Sequence, residues 1–181
     1  MKKILLFVFC LAISSIIIGS KCNTYDEQST EVSSSAAAAQ GNQVTAGGVT
    51  MRWSVVGSDL SVTLSAVTSG WVAVGFKPTV GMQNANFIIG YVSGGTAVIE
   101  DNFGTSPSEH VADTIQNVTN KSGSEAGGIT EISFQIPLNS GDAQDQPLAV
   151  GESCNIILAH GPADNFTSEH TSVGSVTIVI R

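Results

Sequence analysis

The stretch GWVAVGF at residues 70–76, followed by the apolar run FIIGY at residues 87–91, decides the fold. Both runs are short, rich in β-branched and aromatic residues, and bounded by glycine, proline or asparagine, which is typical of strands. Between them lie Gly81-Met82 and several amide side chains, a composition that predicts a loop. This region therefore predicts two strands that flank a loop carrying one methionine.

The same pattern continues on both sides of this region. Residues 51–55 and 60–66 alternate apolar with polar side chains around the turn Gly57-Ser58-Asp59, which predicts a hairpin. Further strands are predicted at residues 96–100, 129–136, 154–159 and 175–180. Many short strands with glycine-rich turns and no convincing amphipathic helix predict an all-β protein, specifically an antiparallel β-sandwich.

The N-terminal segment is predicted to be processed rather than folded. Lys2-Lys3 precede the apolar run 4–18, and Gly19-Ser20 follow it, which is the order of a secretory signal peptide at residues 1–20. The apolar run is shorter than the ~20 residues of a membrane span, so we expect a secreted protein rather than an integral membrane protein. Cys22 could carry a lipid anchor, but Lys21 stands where such processing usually has a small residue, so this is the less favoured alternative.

Residues 21–48 are polar and low in complexity, with the run SSSAAAA at residues 33–39. A segment without apolar periodicity cannot bury enough surface to offset its ordering entropy. The sequence therefore predicts a flexible spacer at 21–48 and one folded domain at 49–181.

Composition excludes several classes of function. Removal of the signal peptide leaves five basic against fifteen acidic residues, so the surface repels phosphate backbones, and nucleic acid is not expected as a partner. The chain has no Gly-x-Ser-x-Gly, phosphate-loop or His-Glu-x-x-His motif, so we do not expect an enzyme. It also lacks Cys-x-x-Cys-His, which excludes covalent haem attachment. Cys154 could pair with Cys22 or stay buried and unpaired, and both alternatives are open.

Soft and imidazole side chains are the remaining candidates for chemistry. Met51 belongs to an alternating strand and is expected in the core, whereas Met82 lies in a glycine- and amide-rich loop. His170 directly precedes the last strand and His160 ends the strand before it, so either ring could turn inward, whereas His110 is expected in a solvated polar loop. A methionine and a histidine together are one known axial pair for haem iron, but the residues alone leave the pair open.

Several segments together resemble a DOMON domain of the haem-binding cytochrome type, the type found in cellobiose dehydrogenase. The resemblance spans about residues 49–181 and rests on these segments: WVAVGF at 71–76 with Gly81-Met82, IEDNF at 99–103, FQIPL at 134–138 with Gly141-Asp142, ILAHG at 157–161, and His170 before Gly174. It implies an immunoglobulin-like β-sandwich that holds a non-covalent haem b. By position, it implies that Met82 and His170 are the axial ligands.

The resemblance also implies a function and a lining for the haem slot. Two axial ligands leave no open coordination site, so one-electron transfer with a redox partner protein or a small-molecule electron donor is expected. His160 could compete as a ligand or contact a haem propionate. The expected lining of the slot is aromatic and aliphatic: Trp71, Phe76, Phe87, Ile89 and Tyr91.

Two other functions stay open. A haem-free DOMON module could bind carbohydrate or protein through Trp53, Trp71 and Tyr91, and a copper site could use Met82 with His160 or His170. Three glycosylation sequons, at Asn117, Asn120 and Asn165, fit surface loops of a secreted protein.

Overall fold

The computed structural model describes residues 42–181, which form strands and turns without a helix. The predicted signal peptide, Cys22 and most of the predicted spacer lie outside these residues. The strands are β1 Asn42–Ala46, β2 Val49–Val56, β3 Asp59–Ala66, β4 Val72–Phe76, β5 Asn86–Ser93, β6 Thr96–Ser106, β7 Glu109–Ala112, β8 Thr119–Ala126, β9 Ile129–Pro137, β10 Ser153–His160 and β11 Ser172–Val179. Among the described residues, no helix is long and apolar enough to cross a membrane.

The strands form two sheets. One has five strands in the order β1-β2-β3-β9-β8, and the other has six in the order β11-β10-β4-β5-β6-β7. Every neighbouring pair is antiparallel. Apolar side chains of both sheets face each other and form the main core, in which Phe76, Phe134, Leu60 and Ile88 are fully or almost fully buried. The predicted all-β class and the antiparallel β-sandwich are confirmed.

Three strands were not predicted from the sequence. β1 lies within the segment predicted as spacer, so the strands of the described residues begin at Asn42 rather than after residue 49. β1 is an edge strand, and its Val44 and Ala46 pack only half-buried against the core, which gives a weak apolar signal. β8 is mostly exposed and β7 is only four residues long, so neither strand carries strong alternation.

Trp53 and Phe76 point into the main core, whereas Trp71 lies on the outer side of the six-stranded sheet. Trp53 is buried in the main core, where its Nε1 donates to the carbonyl of Val179 at 3.0 Å. Phe76 is also in this core, on the opposite face of β4 from Trp71 and Ala73. The expectations that Trp53 offers a stacking surface and that Phe76 lines a haem slot were therefore wrong, because alternation along each strand points these side chains inward.

Met51 and Cys154 are buried in the same core. The core position predicted for Met51 is confirmed. Cys154 is unpaired among residues 42–181, and Cys22 lies outside them, so the pairing of these two cysteines stays an open alternative.

The six-stranded sheet is apolar on both faces at its centre. Every residue of β4 is buried, and so are the first five residues of β5. A sandwich strand usually buries one face and exposes the other, so a second buried face shows that the outer side of this sheet is covered. This outer side carries the candidate site.

Candidate ligand-binding site

A cavity of about 730 Å³ lies over the outer face of the six-stranded sheet. Its volume falls within the ~300–1,000 Å³ that is typical of small-molecule sites. The floor is apolar and comes from the outward side chains of β4, β5 and β10 and the residue before β4: Trp71, Ala73, Phe87, Ile89, Ile157 and Ala159. The β4–β5 loop, the β6–β7 hairpin and the β10–β11 loop form the walls.

Trp71 anchors the β10–β11 loop over this floor. Its indole Nε1 donates to the hydroxyl of Ser168 at 2.9 Å, and the carbonyl of the same residue lies at 3.3 Å. The indole packs directly on Gly161, where a Cβ would overlap the ring, so only glycine permits this approach. Since the ring is buried and its one donor is satisfied, Trp71 holds the loop that carries His170.

Backbone hydrogen bonds fix the loop that carries Met82. The Met82 N–H donates to the carbonyl of Pro107 at 3.0 Å, and the Met82 carbonyl accepts from the N–H of Ala85 at 3.1 Å. The same carbonyl lies against Gly104 of β6, at a place where a Cβ would clash with it. The Met82 side chain is half-buried and packs against the outer cluster of Ala85, Phe87 and Ile157.

The structure brings four of the six predicted cofactor-binding residues to one cavity. Met82, His170, Trp71 and Phe87 all line it. Met82 comes from the β4–β5 loop and His170 from the β10–β11 loop, so the two side chains reach the cavity from separate segments of the chain.

Tyr91 lies in the outer apolar cluster, beside the lining residues. It is half-buried next to Ile89 and Trp71, and its ring contacts Phe166 with a centroid separation of 5.0 Å and an interplanar angle of 52°. Tyr91 therefore supports the cavity through Phe166, which does line it.

His160 does not line the cavity. It follows Ala159 on β10, so strand alternation turns its side chain to the other face of the sheet, where the ring lies beside Gly48. Its Nδ1 is buried without a hydrogen-bond partner, and burial lowers the pKa of this imidazole. The structure thus separates His160 from Met82 and His170.

His110 is a cavity residue that the sequence analysis left among solvated histidines. It lies on β7, its ring is 5.9 Å from that of Phe87, and its Nδ1 lies 3.0 Å from Oδ1 of Asn102. Burial lowers the pKa of His110, and the nearby charge of Glu100 opposes this only in part. With an amide oxygen as its partner, Nδ1 would carry the proton, and Nε2 would then keep its lone pair. The signal in the sequence that could have placed His110 is the turn-forming pair Pro107-Ser108, which weakly predicts a hairpin with His110 on its second strand.

The walls of the cavity are polar and acidic rather than basic. Ser108, Thr167 and Ser168 supply hydroxyl groups, and Glu109 and Glu169 supply carboxylates. No lysine or arginine of the described chain is among the lining residues. The cavity therefore combines an apolar floor, a thioether, two imidazoles and hydroxyl groups, which suits a largely apolar ligand with a polar edge.

The cavity lies on the outer face of a β-sandwich, outside the main core. A family model described as DOMON domain matches residues 45–161, more than half of the chain. The chain belongs to the DOMON family. The match ends at Gly161, the first residue of the β10–β11 loop, so His170 lies beyond the matched residues.

Two solved structures share this fold. One is the cytochrome b domain of pyranose dehydrogenase from Coprinopsis cinerea, with 17% identity, a TM-score of 0.57, and coverage of 72% of this chain and 76% of that chain. The other is the cytochrome domain of Myriococcum thermophilum cellobiose dehydrogenase, with 14% identity, a TM-score of 0.59, and coverage of 74% and 75%. At these identities the likeness shows the fold.

A curated relative matches a shorter stretch. The human DBH-like monooxygenase protein 1 is 30% identical over 98 residues, which is 54% of this chain and 16% of that protein. The chain thus corresponds to a small part of the relative, and the match does not extend to the rest of that protein.

Proposed function

We propose that this DOMON domain holds a non-covalent haem b in the outer cavity, with Met82 and His170 as the axial ligands, and passes single electrons. The observation that carries the proposal is that Met82 and His170, from separate loops, line one cavity of about 730 Å³ with an apolar floor. The fold shared with two cytochrome domains supports it.

The donor set fits the proposed group. A thioether and a neutral imidazole are soft and borderline ligands without charge, and together they favour ferrous iron and raise the reduction potential relative to two imidazoles. When bound, the haem would supply one-electron redox chemistry. The apolar floor of the cavity fits a flat, largely apolar ring.

The chain itself would position the group and exclude water. The backbone bonds of Met82 to Pro107 and Ala85 fix one ligand loop, and the Trp71–Ser168 bond fixes the other. The carboxylates of Glu109 and Glu169 would repel the propionates of a bound haem. We therefore expect the propionates to face the hydroxyls of Ser108 and Thr167 or solvent.

The same proposal covers partner, location and class of protein. A cytochrome domain of this kind is a redox module rather than an enzyme, and its partner would be a redox protein or a small-molecule electron donor. Acidic groups at the cavity wall favour a partner with a basic docking surface. Secretion is the expected location, on the basis of the N-terminal sequence.

Visible absorption spectra test the assignment. The secreted chain is expressed with ample haem and its spectra are recorded oxidised and dithionite-reduced; we expect sharp reduced α and β bands. Met82→Ala and His170→Ala should each abolish the low-spin spectrum. His110→Ala, in the same cavity, and His160→Ala, on the other face of β10, are matched controls that should keep it.

Two results would contradict the proposal. A wild-type protein without a Soret band would exclude haem. A low-spin spectrum lost in His110→Ala but kept in His170→Ala would move the ligand to His110.

A haem-free module that binds carbohydrate is the second candidate. It is favoured by the aromatic residues Trp71, Phe87 and Phe166 beside the hydroxyls and carboxylates of the cavity wall, since aromatic and polar groups together suit sugars. A colourless protein whose tryptophan fluorescence changes with a sugar would support it. A copper site is the third alternative. Of the two pairs expected for it, Met82 with His160 or with His170, only Met82 and His170 both line this cavity, and metal analysis would reveal a bound copper ion.

A further inference from the structure

A cluster of carboxylates lies apart from the cavity. Asp101 is on β6, Asp113 follows β7, and Asp145 belongs to the β9–β10 loop. One carboxylate oxygen from each lies within 4.8 Å of the others. Asp101 is 0% exposed and Asp113 is 6% exposed, so two of the three acidic groups are inside the protein.

The cluster is on the opposite face of β6 from the cavity. Asp101 pairs with Ile88, a residue of the main core, whereas the next residue, Asn102, pairs with Phe87 on the cavity floor. Directly paired residues of an antiparallel ladder point to the same face. The two sites are thus separated by the sheet.

In each carboxylate, one oxygen is held and the other is free. Oδ2 of Asp101 accepts from the backbone N–H of Asn117 at 3.2 Å, and Oδ1 of Asp113 accepts from that of Ile115 at 3.0 Å. The second oxygens, Oδ1 of Asp101 and Oδ2 of Asp113, are buried without a partner.

The β9–β10 loop repeats this arrangement. Oδ2 of Asp145 accepts from the side-chain amide of Asn117 at 3.0 Å, and Oδ1 of Asp142 accepts from the N–H of Gln144 at 3.0 Å. Oδ1 of Asp145 and Oδ2 of Asp142 have no partner. Buried polar atoms are rarely left unpaired, so four unpaired carboxylate oxygens in one region need an explanation.

Basic side chains of the described residues do not neutralise these carboxylates. The one ion pair among residues 42–181 joins Lys77 and Glu152. Lys121 on β8 donates to the backbone carbonyl of Ile99 at 2.9 Å rather than to a carboxylate. Burying several carboxylates together is very unfavourable unless a cation or protons neutralise them.

We propose that Asp101, Asp113 and Asp145 bind a calcium ion, with Asp142 as a further oxygen donor. An all-oxygen set of carboxylates suits a hard cation, and Ca²⁺ accepts six to eight oxygens in flexible geometry, whereas Mg²⁺ demands a near-ideal octahedron and keeps its water. The ion would tie β6, the segment after β7 and the β9–β10 loop together. Because Asn117 holds two of the ligands, a glycan on its sequon would disrupt the site.

Calcium titration of the full secreted chain tests the proposal. The protein is treated with EDTA, and CaCl₂ is added at pH 7.5 and 150 mM NaCl in a calorimeter and in a thermal melt. We expect one ion per chain, with a Kd in the ~10⁻⁴–10⁻³ M range of extracellular modules or tighter. At a hundredfold excess over Kd, the Tm should rise by about 5 °C or more. MgCl₂ should give a clearly smaller shift.

Variants distinguish calcium binding at the carboxylate cluster from a general attraction of calcium ions to an acidic protein. Asp145→Asn and Asp101→Asn should weaken calcium binding at least tenfold. Asp164→Asn makes the same charge change at an exposed position outside the cluster and should leave it unchanged. Asp145 is only half-buried, so its variant is expected to fold even if the Asp101 variant does not.

Two outcomes would overturn the proposal. One is the absence of saturable calcium binding up to about 10 mM, well above the weakest extracellular sites. The other is binding that persists unchanged in both cluster variants. The test uses no haem, so its result is independent of the cytochrome proposal.

Discussion

The two faces of β6 carry polar groups in contrasting settings. On the outer face, Asn102 bonds His110 beside an apolar cavity whose proposed ligands, Met82 and His170, are neutral donors. On the inner face, Asp101 lies in a cluster of carboxylates, none of which forms an ion pair with a basic side chain of residues 42–181. Neutral donors in a preformed cavity cost the folded protein little free energy when no ligand is bound, whereas buried like charges destabilise a site without its cation. The cavity should therefore tolerate the absence of its ligand better than the carboxylate cluster.

The largest effect is expected from Trp71→Ala. The variant removes a buried indole that fills the cavity floor and holds the β10–β11 loop, so the free energy of unfolding should fall by about 3–5 kcal/mol. Urea unfolding measures this change. If the two faces of β6 are independent, the calcium-induced rise in Tm should persist in this variant. Loss of that rise would show that the carboxylate cluster depends on the outer cavity.

Trp71→Phe is the matched control for this prediction. It keeps an aromatic ring on the floor and removes the hydrogen bond to Ser168. Its cost should be clearly smaller than that of the alanine variant. Equal costs for the two variants would show that the indole N–H, rather than the volume of the ring, holds the loop.

A pH dependence of stability is expected for the carboxylate cluster when calcium is absent. Burial, and then the charge of Asp145, raises the pKa of Asp101 from its ordinary value of 3.8 to about 7, and Asp113 and Asp142 act in the same direction. A folded-state pKa above the unfolded value means that the folded state binds the extra proton. The resulting stability is present below about pH 4 and is lost as the pH rises to about 7, in total by up to a few kcal/mol.

Urea unfolding in EDTA at pH 5, 6, 7 and 8 measures this loss. Asp101→Asn should flatten the profile, because an amide does not titrate, and should make the ion-free protein more stable than wild type at pH 8. Added calcium should stabilise wild type most at pH 8, where it does not compete with the proton. A wild-type profile that is flat between pH 5 and 8 would contradict the electrostatic account of the cluster.

The sequence predicted the fold and part of the outer cavity for different reasons. Strands such as β4 and β5 carry dense apolar and β-branched runs, so they were found, whereas the edge strands β1, β7 and β8 contribute little to the core and were not. Met82, His170, Trp71 and Phe87 were named through a family resemblance, and the structure shows that they share a cavity. The ligand roles of Met82 and His170 stay predictions.

The carboxylate cluster could not have been predicted from local sequence. Asp101, Asp113 and Asp145 are far apart in the chain and follow no metal-binding spacing, and only the pairing of β6 with β7 and the path of the β9–β10 loop bring them together. The cavity position of His110 was not predicted for a similar reason, since its place beside Phe87 depends on the β6–β7 pairing. Sites built from long-range strand pairing need the structure, whereas a loop next to a strong strand is visible in the sequence.

The smallest effect is expected from Ser168→Ala, which isolates the polar contact of the outer face. It removes the hydroxyl that accepts from Trp71 Nε1 at 2.9 Å, but the carbonyl of residue 168 remains at 3.3 Å as an alternative acceptor. The donor is therefore not left unpaired, and the free energy of unfolding should fall by only about 1 kcal/mol or less. Amide hydrogen exchange should nevertheless quicken in the β10–β11 loop and stay unchanged around Asp101 and Asn117. Faster exchange at both places would show that the loop over the cavity and the carboxylate cluster open together, which would join the two faces of β6 into one cooperative unit.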